Sequence, residues 1–204
     1  MLPRAAGRQP GACDRSADCA RDSGGGASAT AVQRDAAQQP TLLHDALAPG
    51  VPAVKFAGGA NLAGNLRLGA DKTILAALRS TAEADACCGG IFTSWSAGDR
   101  GESSNGLDTK RSGGGVCLSA DWAGQSDFGS SDVANRVVVG SVSFNRTVTR
   151  LLADGCDELT PQGQGGVAHA ASLFNVGWRA SDPSVGGRRF DGVVAEVLVY
   201  NRSL

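Results

Sequence analysis

The chain has 204 residues, 42% hydrophobic and 19% charged, with 19 Lys and Arg against 20 Asp and Glu for a formal net charge of −1. That length holds one sizeable core or two very small ones, and the composition is that of a globular protein rather than a disordered or membrane one. The charge balance lacks the basic excess of nucleic-acid-binding proteins, and no run approaches the ~18 continuous apolar residues of a membrane span.

Residues 1–30 are rich in Gly, Ala, Arg, Asp and Ser, with Leu2 their only large aliphatic. Such a segment buries too little apolar area to offset the entropy of ordering it, so it is expected to be a disordered N-terminal stretch ahead of a single domain over 31–204. It also lacks the 7–15-residue apolar core of a signal peptide. From Thr41 onward short apolar runs appear, bounded by Gly, Asn, Asp, Ser or Pro: 53–56, 73–78, 90–95, 116–120, 136–144, 147–153, 173–178 and 193–200. Their lengths and their content of Val, Ile, Thr and Phe suit strands, although 73–78 also reads as a helical turn. Along 136–144, Val138, Gly140, Val142 and Phe144 alternate onto one face. Asp154-Gly155 closes the next run as a favoured hairpin turn pair, since both residues tolerate positive φ. Run 193–200 is apolar on both faces except at Glu196, as in a strand covered on both sides; buried there, Glu196 calls for a partner such as Arg188, Arg189 or Arg202. No 3.6-residue apolar period persists through 12 residues. About eight strands with Gly-rich turns predict an all-β, antiparallel β-sandwich of jelly-roll type.

Three stretches carry a resemblance. Cys13-Asp14-Arg15-Ser16, Gln39-Pro40-Thr41-Leu42 and Gly50-Val51-Pro52-Ala53-Val54-Lys55-Phe56-Ala57-Gly58 form the first. The second is Arg150-Leu151-Leu152-Ala153-Asp154-Gly155. The third is Phe174-Asn175-Val176-Gly177-Trp178-Arg179 with Phe190-Asp191-Gly192-Val193-Val194-Ala195-Glu196-Val197-Leu198-Val199-Tyr200-Asn201-Arg202-Ser203-Leu204. In order and spacing these resemble the opening, hairpin and closing motifs of laminin G-like, concanavalin A-type jelly-roll domains. Cys13 stands where an opening Trp is usual, and Ala57 replaces the Asp of F-D-G. The resemblance implies a binding or adhesion module that recognises carbohydrate or glycoprotein, with Ca2+ as a candidate cofactor.

Glycoside hydrolases of the same fold class need two carboxylates flanking the scissile bond. The nearest match, Glu83-Ala84-Asp85-Ala86-Cys87-Cys88, lacks the final Glu of E-x-D-x-x-E and reads as solvated loop acids. His44 and His169 sit in loop-like settings, and no G-x-S-x-G, P-loop or H-E-x-x-H occurs. The expectation is therefore a non-enzyme, with a glycosidase-like hydrolase or a ligand-free spacer as alternatives. Six cysteines show no zinc spacing; Cys13 and Cys19 can close a small loop and Cys87 or Cys88 can pair with Cys117 or Cys156 in an oxidising compartment, or all remain thiols. The sequons Asn145-Arg146-Thr147 and Asn201-Arg202-Ser203 favour an extracellular or cell-surface piece of a longer protein. Sugar recognition wants an aromatic platform beside amides and carboxylates, and calcium wants several oxygen ligands. The tract 96–115, read as the longest polar connection, supplies candidate metal ligands Asp99 and Asp108. Trp95, Asn105, Asp121 and Trp122 are the candidate ligand contacts; the two tryptophans read equally as core residues at strand ends.

Overall fold

The computed structural model describes residues 30–81, 89–96, 105–112, 115–122, 125–145, 149–158, 170–179 and 189–204. Within them lie fourteen strands: β1 (Ala31–Val32), β2 (Thr41–Leu43), β3 (Ala53–Phe56), β4 (Leu62–Leu68), β5 (Lys72–Ser80), β6 (Gly89–Trp95), β7 (Asn105–Ser112), β8 (Gly115–Trp122), β9 (Gln125–Phe128), β10 (Val137–Phe144), β11 (Thr149–Ala153), β12 (Cys156–Asp157), β13 (Ala171–Val176) and β14 (Gly192–Tyr200). A single 3-10 turn at Ala36–Gln38 accompanies them, capped by the Asp35 carboxylate, which accepts from the Ala37 N–H. Among the described residues no helix is long and apolar enough to cross a membrane. Several expectations fall outside these residues: the low-complexity stretch 1–29, Glu83, Asp85, Asp99, His169, Arg188, and Cys13, Cys19, Cys87 and Cys88.

The strands form two seven-stranded sheets. The front sheet runs β1-β4-β13-β6-β7-β8-β9 and the back sheet β12-β11-β10-β5-β14-β3-β2, with every neighbouring pair antiparallel. The protein is an all-β sandwich, as the strand rhythm predicts. Alternation explains the core. On β10, Val138, Val142 and Phe144 point inward and are fully buried, while Val137 and Val139 face solvent. On β5, Ile74, Ala76 and Leu78 do the same, and they meet Leu107 of β7 and Leu118 of β8 in one hydrophobic cluster. Each such Val, Ile, Leu or Phe side chain contributes roughly 1.5–3 kcal/mol by leaving water. At Gly140, the small member of the alternating β10 face, a Cβ would stand 2.9 Å from Leu118 Cδ1, so a larger residue there requires the Leu118 side chain to shift. At the β11–β12 turn, Asp154 and Gly155 both take positive φ, 51° and 80°, as the pair predicts.

Run 73–78 is strand throughout, as its length suits: it lies within β5, whose neighbours β10 and β14 supply ladder partners on both sides that a helical turn would forfeit. Three points differ from the sequence reading. Residues 105–112 are a strand, not part of a connection; their polar side chains give no apolar signal in the sequence, but their backbone is paired along both edges, to β6 and β8. Strand β4, Leu-Ala-Gly-Asn-Leu-Arg-Leu, escapes an apolar-run search because only alternate residues are buried or half-buried. Strand β14 is internal, between β5 and β3, but it is covered on both faces only as far as Val194. A register shift between Val194 and Glu196 then turns Glu196, Leu198 and Tyr200 to solvent, so Glu196 carries no burial cost and needs no ion partner. Cys117, buried, and Cys156, exposed, are both free thiols.

Candidate functional site

The registers of the front sheet decide which side chains share its outer face. Phe92 and Phe174 stack in the core with ring centroids 5.5 Å apart, so Thr93 after Phe92, and Leu173 and Asn175 beside Phe174, point outward. Trp95 of β6 pairs with Leu173 of β13, which pairs with Asn65 of β4. The three form one cross-strand row, Trp95 and Leu173 half-buried and Asn65 exposed. The adjacent row is Thr93, Asn175 and Ala63, continued by Gly106 of β7 and Asp121 of β8. With strands about 4.8 Å apart, Asn65 stands roughly 10 Å across the sheet from Trp95. The face thus offers an aromatic ring and two amides, with Leu173 between Trp95 and Asn65.

Beyond this row the chain crosses the outer face itself. After β13, Gly177 takes φ +86°, and Trp178-Arg179 passes over Gly90 of β6. Gly90 must be glycine here, because a Cβ would overlap the backbone of Trp178 and Arg179. The Thr93 hydroxyl donates to the Trp178 carbonyl at 3.1 Å. Arg179 then reaches along the sheet: its Nη2 donates to Asp121 Oδ1 at 2.5 Å, and its Nε stands 3.9 Å from Asp108 Oδ2. Both carboxylates are 0% exposed and the guanidinium 5%. Trp178 is half-buried and bridges back to Arg189, whose guanidinium carbon lies 5.8 Å from the indole centroid, a cation–π contact.

The sequence-predicted residues are therefore divided. Trp95, Asp108 and Asp121 share the outer face of the front sheet. Asn105 is turned inward with Leu107 and fully buried, where its carbonyl accepts from the Ser94 hydroxyl at 3.1 Å. Trp122 lies on β8 opposite Asn105, and its side chain is outside the described residues, as is Asp99. Asn65, Asn175, Trp178 and Arg179 were not named as site residues. The last three stand in the closing-motif stretch, which pointed to fold rather than to a face. The Arg179 guanidinium stands beside both Asp108 and Asp121. Among the described residues no three His, Cys, Asp or Glu gather as metal ligands would.

No protein-family model and no curated protein matches the chain in sequence. Solved structures do match in fold. Domain 4 of AbnA, an extracellular GH43 arabinanase from Geobacillus stearothermophilus in complex with arabinotriose, aligns over 92% of this chain and 88% of its own, with TM-score 0.60 at 12% identity. The native heptameric SAP-like pentraxin of Limulus polyphemus aligns over 69% and 68%, with TM-score 0.54 at 11% identity. A Trypanosoma rangeli sialidase mutant displaying trans-sialidase activity aligns over 87% of this chain but 28% of its own length, with TM-score 0.58 at 12% identity. These likenesses establish the concanavalin A-like jelly-roll sandwich, in agreement with the motif resemblance.

Proposed function

We propose that this chain is a non-catalytic module that binds carbohydrate, free or on a glycoprotein, on the outer face of its front sheet. The observation that carries the reading is the row Trp95–Leu173–Asn65 with Asn175 beside it: a half-exposed ring and two amides held on adjacent strands. An indole face stacks on the C–H face of a sugar, and amides both donate to and accept from its hydroxyls. The fold likeness to an arabinanase domain in complex with arabinotriose supports the ligand class. Against a hydrolase stands the state of the two nearby acids. Asp108 and Asp121 are shut from solvent and hold Arg179, so neither is placed to protonate or attack a glycosidic bond. The guanidinium beside Asp108 and Asp121 supports binding that needs no calcium at these residues. An extracellular or cell-surface setting belongs to the same proposal, supported by the exposed sequon asparagine Asn201. The test is a glycan array, including arabino-oligosaccharides and sialylated glycans, read with calcium and with chelator. The parent chain binds in both conditions and Trp95→Ala does not; equal binding by parent and variant refutes the site.

A further inference from the structure

We infer that Arg179 is a positioning residue for this site: a buried latch that fixes the 177–179 crossing on the sheet and so sets where Trp178 and Arg189 stand. The inference rests on the carbohydrate reading above, extending its face from Trp95 toward Trp178.

Four independent features hold the crossing. Gly177 supplies the left-handed turn off β13, and its missing side chain leaves room for Phe56, which a Cβ would overlap. Gly90 leaves a notch in the outer face, next to Asp108 in the β6–β7 register, and the crossing lies in that notch. The Thr93 hydroxyl, two residues from Trp95 on the same strand and face, pins the Trp178 carbonyl. Arg179 fastens the far end to β7 and β8 through Asp108 and Asp121. A buried ion group of this kind is no better for stability than packed hydrophobic residues of similar volume, since desolvation offsets the attraction. What it supplies is geometry: the planar guanidinium fork, hydrogen-bonded to Asp121 through Nη2 and 3.9 Å from Asp108 through Nε, restricts the placement of the backbone that carries it. The residue immediately before Arg179 is Trp178, so that placement is transmitted to the indole and to the Arg189 guanidinium over it.

The full chain, labelled with 5-fluorotryptophan, gives fluorine resonances assignable by Trp→Phe changes at 95, 122 and 178. Arg179→Lys keeps the positive charge between the carboxylates but loses the fork, and Gly90→Ala fills the notch without altering charge. Both are expected to shift or broaden the Trp178 resonance, leave that of Trp95 in place, and lower signal on the same glycan array at least tenfold. Parent-like far-UV circular dichroism separates this from unfolding. An unmoved Trp178 resonance in Arg179→Lys, with array binding lost in Trp178→Ala, overturns the latch and leaves the carbohydrate reading standing. A parent chain that binds no glycan overturns the carbohydrate reading, whatever the fluorine spectra show.

Discussion

Lys72 opens β5 with its side chain fully buried inside the sandwich. Burial disfavours the charged amine and lowers its pKa from 10.5 to about 8. The unfolded chain therefore binds the proton more tightly than the folded one. Stability is lowest below pH 8, where both states are charged, and rises until about pH 10.5, by about 3 kcal/mol. Denaturant titrations across this window should show the rise in the parent and not in Lys72→Met; equal slopes would mean that the amine reaches water. Two other residues separate burial from hydrophobicity. Val197 and Leu198 are adjacent on β14, yet Val197 is packed against the core and Leu198 is 38% exposed. Val197→Asp should lose about 2 kcal/mol or more, and Leu198→Asp within about 0.5 kcal/mol of nothing. The sequence alone ranks the two alike, because both stand in an unbroken apolar run.

At the scale of elements, the decisive local devices are the places where a strand bends or ends. The crossing after β13 depends on Gly177. Gly177→Ala combines a left-handed backbone with overlap on Phe56, and should cost about 2–4 kcal/mol in chemical denaturation. A loss below about 1 kcal/mol would show that the crossing relaxes freely. A second device anchors the segment between β9 and β10. Asp132 accepts from the backbone N–H groups of Ala134 and Val116, which holds its carboxyl below the usual range. Glu158 accepts from Ser130 and Ser131 and is likewise lowered, the bonds outweighing its partial burial. Legibility followed the same division. Runs whose apolar residues are contiguous, such as β10 and β14, could be read directly. Strands β4, β7 and β9 could not, because their alternate residues are Gly, Asn, Asp, Ser or Lys and their membership is conferred by neighbours on the ladder. Asp154-Gly155 was legible because the turn is encoded by its own two residues. The Val194–Glu196 register shift was not, since nothing in a uniformly apolar run marks where one residue is skipped.

For the whole molecule, the sandwich creates a face that no contiguous stretch of sequence contains. Trp95, Leu173, Asn65 and Asn175 come from three strands and from positions up to 110 residues apart in the chain. Trp95 was legible as a candidate because tryptophan at a strand end beside polar residues is conspicuous. Its amide partners were not, because a lone Asn in a strand becomes informative only once register assigns it a row. The acids were legible as acids but not as the partners of Arg179, which lies 58 residues beyond Asp121. An apolar cleft of about 350 Å³ also opens between the sheets, lined by Leu62, Leu66, Phe92, Val176, Val197 and Val199 among others. The outer face of the front sheet and this cleft are separate. The central claim is that carbohydrate binds on that face without calcium. Its most direct test compares the parent with a Trp95→Ala, Asn175→Ala double variant on one glycan array in chelator, after circular dichroism shows both folded. The account predicts glycan binding by the parent and its loss in the variant; undiminished binding by the variant, or binding that needs added calcium, would contradict it.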